Sequence, residues 1–248
     1  PYVAEFIGTA MLVLLGNGVV ANVVLPRTKG NNSGWIVITA GWGFAVFVGA
    51  FCAAPFSGAH LNPAVTVAMA ATGKLAASSV AGYIAAQMLG ALLGAALVYF
   101  FYRLHFAESK DADAKLACFS TAPNVRNMGQ ALFCEVVGTF ALILPIFFMT
   151  SASVEMPAGS GGQGAAVPIG LGSIGLVPVA LLVFGIGLSL GGTTGYAINP
   201  ARDLGPRIAH FLLPIPAKRD SDWSYAWVPV AGPVIGALLA AGVYSVVR

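Results

Sequence analysis

The chain has 248 residues, of which 58% are hydrophobic and 8% charged, against about a quarter charged in an ordinary soluble domain. Twelve Lys and Arg against nine Asp and Glu leave a net charge of +3, and the mean hydropathy is +0.84. Disordered, acidic-tail and nucleic-acid-binding readings therefore lose their compositional basis, and a polytopic membrane protein is left. A crossing helix needs about 20 apolar residues, so the length holds several crossings and no separate soluble domain. Cys52, Cys118 and Cys134 form an odd set without ligand spacing, which indicates neither a disulfide framework nor a metal site.

Apolar runs long enough to span lie at about 2–25, 35–56, 78–102, 128–150, 168–190 and 225–247, and predict six full crossings. The polar breaks at 26–34, 103–127, 151–163 and 213–224 read as loops. Two apolar segments, 62–73 and 199–211, fall short. Each opens on Asn-Pro, a capping asparagine before a proline at the first helical position, where the missing N–H costs nothing. At about 1.5 Å rise per residue each is half a membrane thick, and two end to end cover the ~30 Å hydrocarbon core.

The chain also repeats itself. Glu5 to Thr9 (Glu-Phe-Ile-Gly-Thr) is echoed by Glu135 to Thr139 (Glu-Val-Val-Gly-Thr), Asn62-Pro63-Ala64 by Asn199-Pro200-Ala201, and Gly90 and Gly94 by Gly232 and Gly236, all in the same order. Each half then holds three crossings and one half-helix, and an odd number of crossings inserts the second half upside down. The expected organisation is a single channel domain over 1–248, made of inverted repeats over about 1–103 and 128–248, with the half-helices meeting near the midplane.

Non-helical backbone at membrane depth is tolerated only where it is buried in protein or lines a watery cavity. Segments 57–61 and 193–198, just before each Asn-Pro, are such backbone, and their carbonyl oxygens are free to accept hydrogen bonds from a small hydroxylic molecule threading past. Asn62 and Asn199 sit at facing positive helix ends, where their amides can donate to a passing oxygen. A water held by two such donors points its hydrogens away and interrupts a proton wire, while the facing dipoles repel cations. One Asn-Pro in a membrane protein is usually a plain helix cap. Two at matching places in a repeat point to a pore.

The ten residues from Ser57 to Thr66, Ser-Gly-Ala-His-Leu-Asn-Pro-Ala-Val-Thr, and the twelve from Gly195 to Pro206, Gly-Tyr-Ala-Ile-Asn-Pro-Ala-Arg-Asp-Leu-Gly-Pro, resemble the two signature boxes of the major intrinsic protein (aquaporin) family. The resemblance covers essentially the whole chain and is closest to the aquaglyceroporin, or glycerol facilitator, branch. It implies an all-α, aquaporin-like bundle of six transmembrane helices plus two re-entrant half-helices. It also implies one pore per subunit, a homotetramer in the plasma membrane, and no cofactor, metal or catalytic step.

By the same resemblance the narrowest point falls at Trp42, Gly187, Tyr196 and Arg202. Water-selective members resemble this site but carry His at the position of Gly187 and usually Phe at that of Trp42. A glycine implies a wider, less polar opening, in which two aromatic faces meet a carbon backbone and Arg202 donates to adjacent hydroxyls. Tyr196 departs from the Phe of the best-known facilitator pattern, and its hydroxyl is expected to narrow or polarise the opening slightly. The pore lining is completed by Asn62 and Asn199 with Gly58, Ala59, His60, Leu61, Gly195 and Ala197. Glu5 and Glu135, buried carboxylates that need hydrogen-bond partners, are implied to brace the backbone ahead of the half-helices. Asp203 is implied to support the second half-helix as a subfamily marker.

His60 is read as a positioning hydrogen-bonder, His105 and His210 as surface residues, and Trp223 and Trp227 as interfacial anchors. The cationic loops, with Arg27, Lys29, Arg103, Lys110, Lys115, Arg126, Lys218 and Arg219 against Lys74 and Arg248 on the other side, would be cytoplasmic by the positive-inside rule, whereas the resemblance implies the reverse. The expected function is passive conduction of glycerol, water and related small uncharged solutes such as urea and other polyols, with membrane lipid around the bundle. The alternatives are a water-selective aquaporin, opposed by Gly187 and Trp42, and a secondary transporter, since inverted repeats with broken helices also mark those folds. A transporter would have only Glu5 and Glu135 as coupling groups. A structural or adhesion role is opposed by the intact boxes.

Overall fold

A segment crossing hydrocarbon alone pairs its backbone polar groups most simply within itself, and the long apolar runs are helical. The computed structural model describes residues 1–150, 152–155 and 166–247. Its long helices are α1 (Tyr2–Val24), α2 (Trp35–Ser57), α4 (Ala77–Phe101), α7 (Met128–Phe148), α8 (Val177–Leu190) and α10 (Val228–Val247), with α3 (Pro63–Ala71) and α9 (Pro200–Leu212) as the short pair. By length and composition, six segments among the described residues are able to cross a membrane. Their outward faces carry large exposed apolar side chains such as Phe44, Phe51, Phe101 and Leu181.

Three local departures from the sequence reading have physical causes. The run expected to cross from 168 becomes α-helical only at Val177, after a 3-10 turn over Gly172–Leu176. Pro178 suits a first turn, and Gly172 adopts φ +54° just ahead of it. Pro168 instead ends a short strand: β2 (Ala166–Pro168) pairs antiparallel with β1 (Ser153–Glu155), Val154 opposite Val167. The expected loop at 151–163 otherwise lies outside the described residues, as does Arg248. The expected loop at 103–127 contains α5 (Arg103–Glu108) and α6 (Ala112–Ala117), helices too short to leave an apolar period. Asp111 caps α6 through the amides of Asp113 and Ala114, and Lys115 pins it to the carbonyl of Pro216.

Helix α1 packs on α2 and α4, α7 on α10, α2 on α8 and α4 on α9, while α3 lies against α10. At two echoed positions the approach leaves no room for a side chain. A Cβ on Gly90 would lie 2.3 Å from the carbonyl oxygen of Phe6, and one on Gly236 the same distance from that of Val136. Small residues at such crossings let helices approach closely in a membrane.

The half-helices start as their Asn-Pro signals require. Asn62 Oδ1 accepts from the amide of Ala64, and Asn199 Oδ1 from those of Ala201 and Arg202. With a rise of about 1.5 Å per residue, their nine and thirteen residues together match a ~30 Å core. The backbone leading to them is strained in a matching way: Ala59, Leu61, Tyr196 and Ile198 all have φ between 37° and 52°, a left-handed conformation that costs a non-glycine residue about 1–2 kcal/mol.

Two buried carboxylates hold that backbone. Glu5 accepts from the amides of His60 (2.9 Å) and Leu61 (2.7 Å), from Ser57 Oγ and from Gln87 Nε2. Glu135 accepts from the amides of Ala197 (3.0 Å) and Ile198 (2.8 Å) and from Thr194 Oγ1. Replacing Glu135 by Leu leaves two buried N–H groups and a hydroxyl without acceptors, at about 1–3 kcal/mol each. Glu135→Leu is expected to lower the melting temperature of the detergent-solubilised protein sharply, followed by circular dichroism. An unchanged melt would mean that the carboxylate is not what holds segment 194–198.

Candidate functional site

The two stubs meet tip to tip and are cross-tied. Asn62 Nδ2 donates to the carbonyl of Ile198 (2.9 Å), and Asn199 Nδ2 donates to that of Leu61 (2.8 Å). Each amide thus uses its oxygen on its own helix and one N–H on the opposite stub, which leaves its second N–H available. Both asparagines line an inner cavity of about 160 Å³ together with Gly58, Ala59, His60, Leu61 and Ala197. Among the described residues, no protein hydrogen bond ends on the carbonyls of Ala59, His60, Tyr196 or Ala197. Facing this polar edge are Leu12, Val46, Ala50, Leu142, Ile146 and Val183, so the cavity has one hydrogen-bonding wall and one apolar wall.

Beyond it lies an outer cavity of about 180 Å³, which includes Gly195, and then a wide mouth of about 1070 Å³ between the 26–34, 103–127 and 213–224 segments. The inner and outer cavities share three residues: Trp42, Tyr196 and Arg202. The Arg202 guanidinium lies 4.0 Å from the centre of a Trp42 ring, a cation–π distance. Its Nη1 donates to the carbonyl of Phe119 (3.3 Å) and to Asn17 Oδ1 (3.4 Å).

Gly187 is buried on α8 beside Tyr196 and is not among the residues that line these two cavities. A Cβ at 187 would stand 2.9 Å from Tyr196 Cζ and Oη and 2.9 Å from Thr39 Cγ2. The missing side chain therefore makes room for Tyr196. Among the described residues, the buried Tyr196 hydroxyl has no hydrogen-bond partner. Trp35 backs the same ring edge-on at 5.9 Å and donates its Nε1 to the Gly187 carbonyl (3.0 Å).

Asp203 is fully buried and lines none of these cavities. It accepts from the amide and hydroxyl of Thr121, both at 2.7 Å, and pairs with Arg207, itself fully buried. Arg207 donates onward to the carbonyls of Thr121, Ser221 and Asp222. Asp203 thus ties the 119–121 backbone, and with it the Phe119 carbonyl that receives Arg202, to α9. Asp222 accepts both Nη groups of Arg126 (2.6 and 2.7 Å), and this pairing holds its carboxyl below the usual carboxylate range against the opposing effect of burial.

His60 hydrogen-bonds Thr66 (3.1 Å) and packs on Tyr83. His210 is not a surface residue: it is buried, with Nδ1 2.8 Å from Ser221 Oγ, because the 213–224 segment folds back over the end of α9. His105 is half-buried against the Pro26 carbonyl. Sequence reasoning missed Asn17, Trp35, Gln87 and the Phe119 carbonyl. For Asn17 a signal existed, an amide in the middle of an apolar helix. For a backbone carbonyl in a loop there was none.

Removing an unpartnered buried hydroxyl relieves a desolvation cost of about 1 kcal/mol or more. Tyr196→Phe is expected to leave the melting temperature equal or higher and solute flux within about twofold of wild type, measured side by side in detergent and in vesicles. A clear loss of flux would place the hydroxyl in the solute's path.

The chain is 53% identical over 246 residues to a probable glycerol uptake facilitator protein of Thermotoga maritima, covering 98% of this chain and 97% of that protein. It is 54% identical to the glycerol uptake facilitator protein of Streptococcus pneumoniae, covering 97% and 96%, and 47% identical to that of Bacillus subtilis, covering 94% and 79%. The X-ray structure of the aquaglyceroporin from Plasmodium falciparum superposes with a TM-score of 0.81 at 32% identity, over 98% of this chain and 93% of that one, so the fold is that of the aquaporins. The family model described as major intrinsic protein matches residues 1–244, and the chain, a multi-pass membrane protein by its helices, belongs to that family.

Proposed function

We propose that the protein is a passive channel for glycerol and related small uncharged solutes, with water, that excludes ions and protons. The observation that carries this reading is the meeting of Trp42, Tyr196 and Arg202 between the two cavities. Two rings offer a greasy edge and a guanidinium offers donors opposite, which suits a molecule with carbons on one side and hydroxyls on the other. The glycerol facilitators among its relatives support the same choice.

Passage is an exchange of hydration for fixed partners. A solute that enters from the mouth meets Arg202 and the carbonyls of 195–197, then the free N–H groups of Asn62 and Asn199, then the carbonyls of 58–60, while its carbon edge slides on the apolar wall. An ion loses more hydration than these few groups replace. A water held by both asparagine donors has its hydrogens turned outward, which breaks a proton wire. No bond is made or broken, so we assign no catalytic residue and no cofactor. We further place the protein in the plasma membrane, in contact with lipid and assembled as a homotetramer, with urea and small polyols as further solutes. The charged mouth is placed outside, as one domain of two inverted repeats.

Proteoliposomes shrunk in a glycerol gradient are expected to reswell rapidly without any sodium or proton gradient; flux that needs either ion would make the protein a transporter, and water flux alone would make it a water channel. Gly187→His drives an imidazole into the space of Tyr196, and is expected to lower glycerol flux at least about tenfold while water flux falls far less. Equal losses of both would show that 187 and 196 do not set the aperture.

A further inference from the structure

Asn17 sits in the middle of α1 and is fully buried. An amide there costs roughly 2–7 kcal/mol unless its polar atoms are satisfied, and both ends of this one are engaged at the constriction. Nδ2 donates to the carbonyl of Phe119 (3.3 Å), and Oδ1 accepts from Arg202 Nη1 (3.4 Å). The same Phe119 carbonyl also accepts from Arg202 Nη1 (3.3 Å). Each contact is slightly longer than the usual range of about 2.7–3.2 Å, but the three close a triangle that favours one orientation of the amide. A flipped amide would turn its N–H groups on the guanidinium.

The triangle leaves the other side of the guanidinium open. Among the described residues, Arg202 donates to side chains or carbonyls only through Nη1. Nε and Nη2 remain for the hydroxyls of a solute. The neighbouring residue on α1 serves the opposite wall: a Cβ at Gly16 would lie 2.2 Å from the Trp42 ring, so Gly16 seats the indole on which the guanidinium rests. Two consecutive residues of α1 thus set both the ring and the charge.

The repeat supplies an internal comparison. The register that aligns Glu5 with Glu135 puts Phe147 at the place of Asn17, and the one that aligns Asn62 with Asn199 puts Val65 at the place of Arg202. Where the guanidinium is absent, the amide is absent too. An asparagine needed only for packing α1 would have no reason to follow the charge.

We propose that Asn17 is a positioning residue that sets the direction of the Arg202 guanidinium and so determines how strongly the channel favours a polyol over water. The proposal rests on the glycerol-channel reading above. The test compares glycerol and water permeabilities in proteoliposomes of wild type, Asn17→Leu, Arg202→Val and the double variant, each checked for its melting temperature and oligomeric state.

Asn17→Leu removes an acceptor from a charged donor and is expected to lower the glycerol-to-water permeability ratio about tenfold. In the Arg202→Val background the same change is expected to leave the ratio where it is. If the leucine variant does not reconstitute, the smaller Asn17→Val carries the same expectation. An unchanged ratio in the folded single variant, or an equal loss in both backgrounds, overturns the role of Asn17 while leaving the channel in place. A wild type that passes no glycerol overturns the channel reading and this inference with it.

Discussion

Peptide groups that leave a helix at membrane depth must find other partners or face water, at several kcal/mol each if they find neither. The architecture here answers that constraint twice. Amide hydrogens of 60, 61, 197 and 198 go to the carboxylates of Glu5 and Glu135, and one carbonyl of each stretch goes to the asparagine of the other. Among the described residues, the carbonyls of Ala59, His60, Tyr196 and Ala197 accept from no protein donor and belong to residues that border the cavity, where they are useful because they are unpaired. The left-handed residues that this course demands stay in place because the carboxylates grip the amides immediately beside them.

The proposed constriction, where Trp42, Tyr196 and Arg202 border both cavities, follows a different logic. Its groups are individually mobile, a long guanidinium and two large rings, and a selective opening needs them held. Each is backed by a second layer: the indole by the missing side chain of Gly16, the tyrosine by Trp35 and the missing side chain of Gly187, the guanidinium by Asn17 and Phe119. Asp203 and Arg207 stand one layer further out. A buried ion pair contributes little net stability of its own, but this one fixes the loop that carries the Phe119 carbonyl to which Arg202 donates.

Much of this was legible in the sequence because its causes are local. Run length gives the crossings, Asn-Pro gives the stub starts, and the repeated Glu-x-x-Gly-Thr and Asn-Pro elements give the pairing of halves. What was not legible depends on distant chain segments. The two short helices of 103–127 hold through capping and through Lys115 reaching Pro216, and neither leaves a periodic trace. His210 reads as a boundary histidine until 213–224 is folded over it. At Gly187 the sequence gives the missing side chain but not the tyrosine nine residues later that stands beside it, since sequence gives the size of a side chain and not the direction in which it points.

That last relation restricts how such a channel can change. Because residue 187 and residue 196 compete for one volume, neither can be altered freely while the other stays. A larger group at 187 displaces the ring at 196 unless that ring is made smaller, and Gly191, whose missing Cβ would stand 2.5 Å from the same tyrosine, adds a third participant. A single enlargement at 187 can therefore only crowd the ring, and making room again calls for a matching change at 196 or 191.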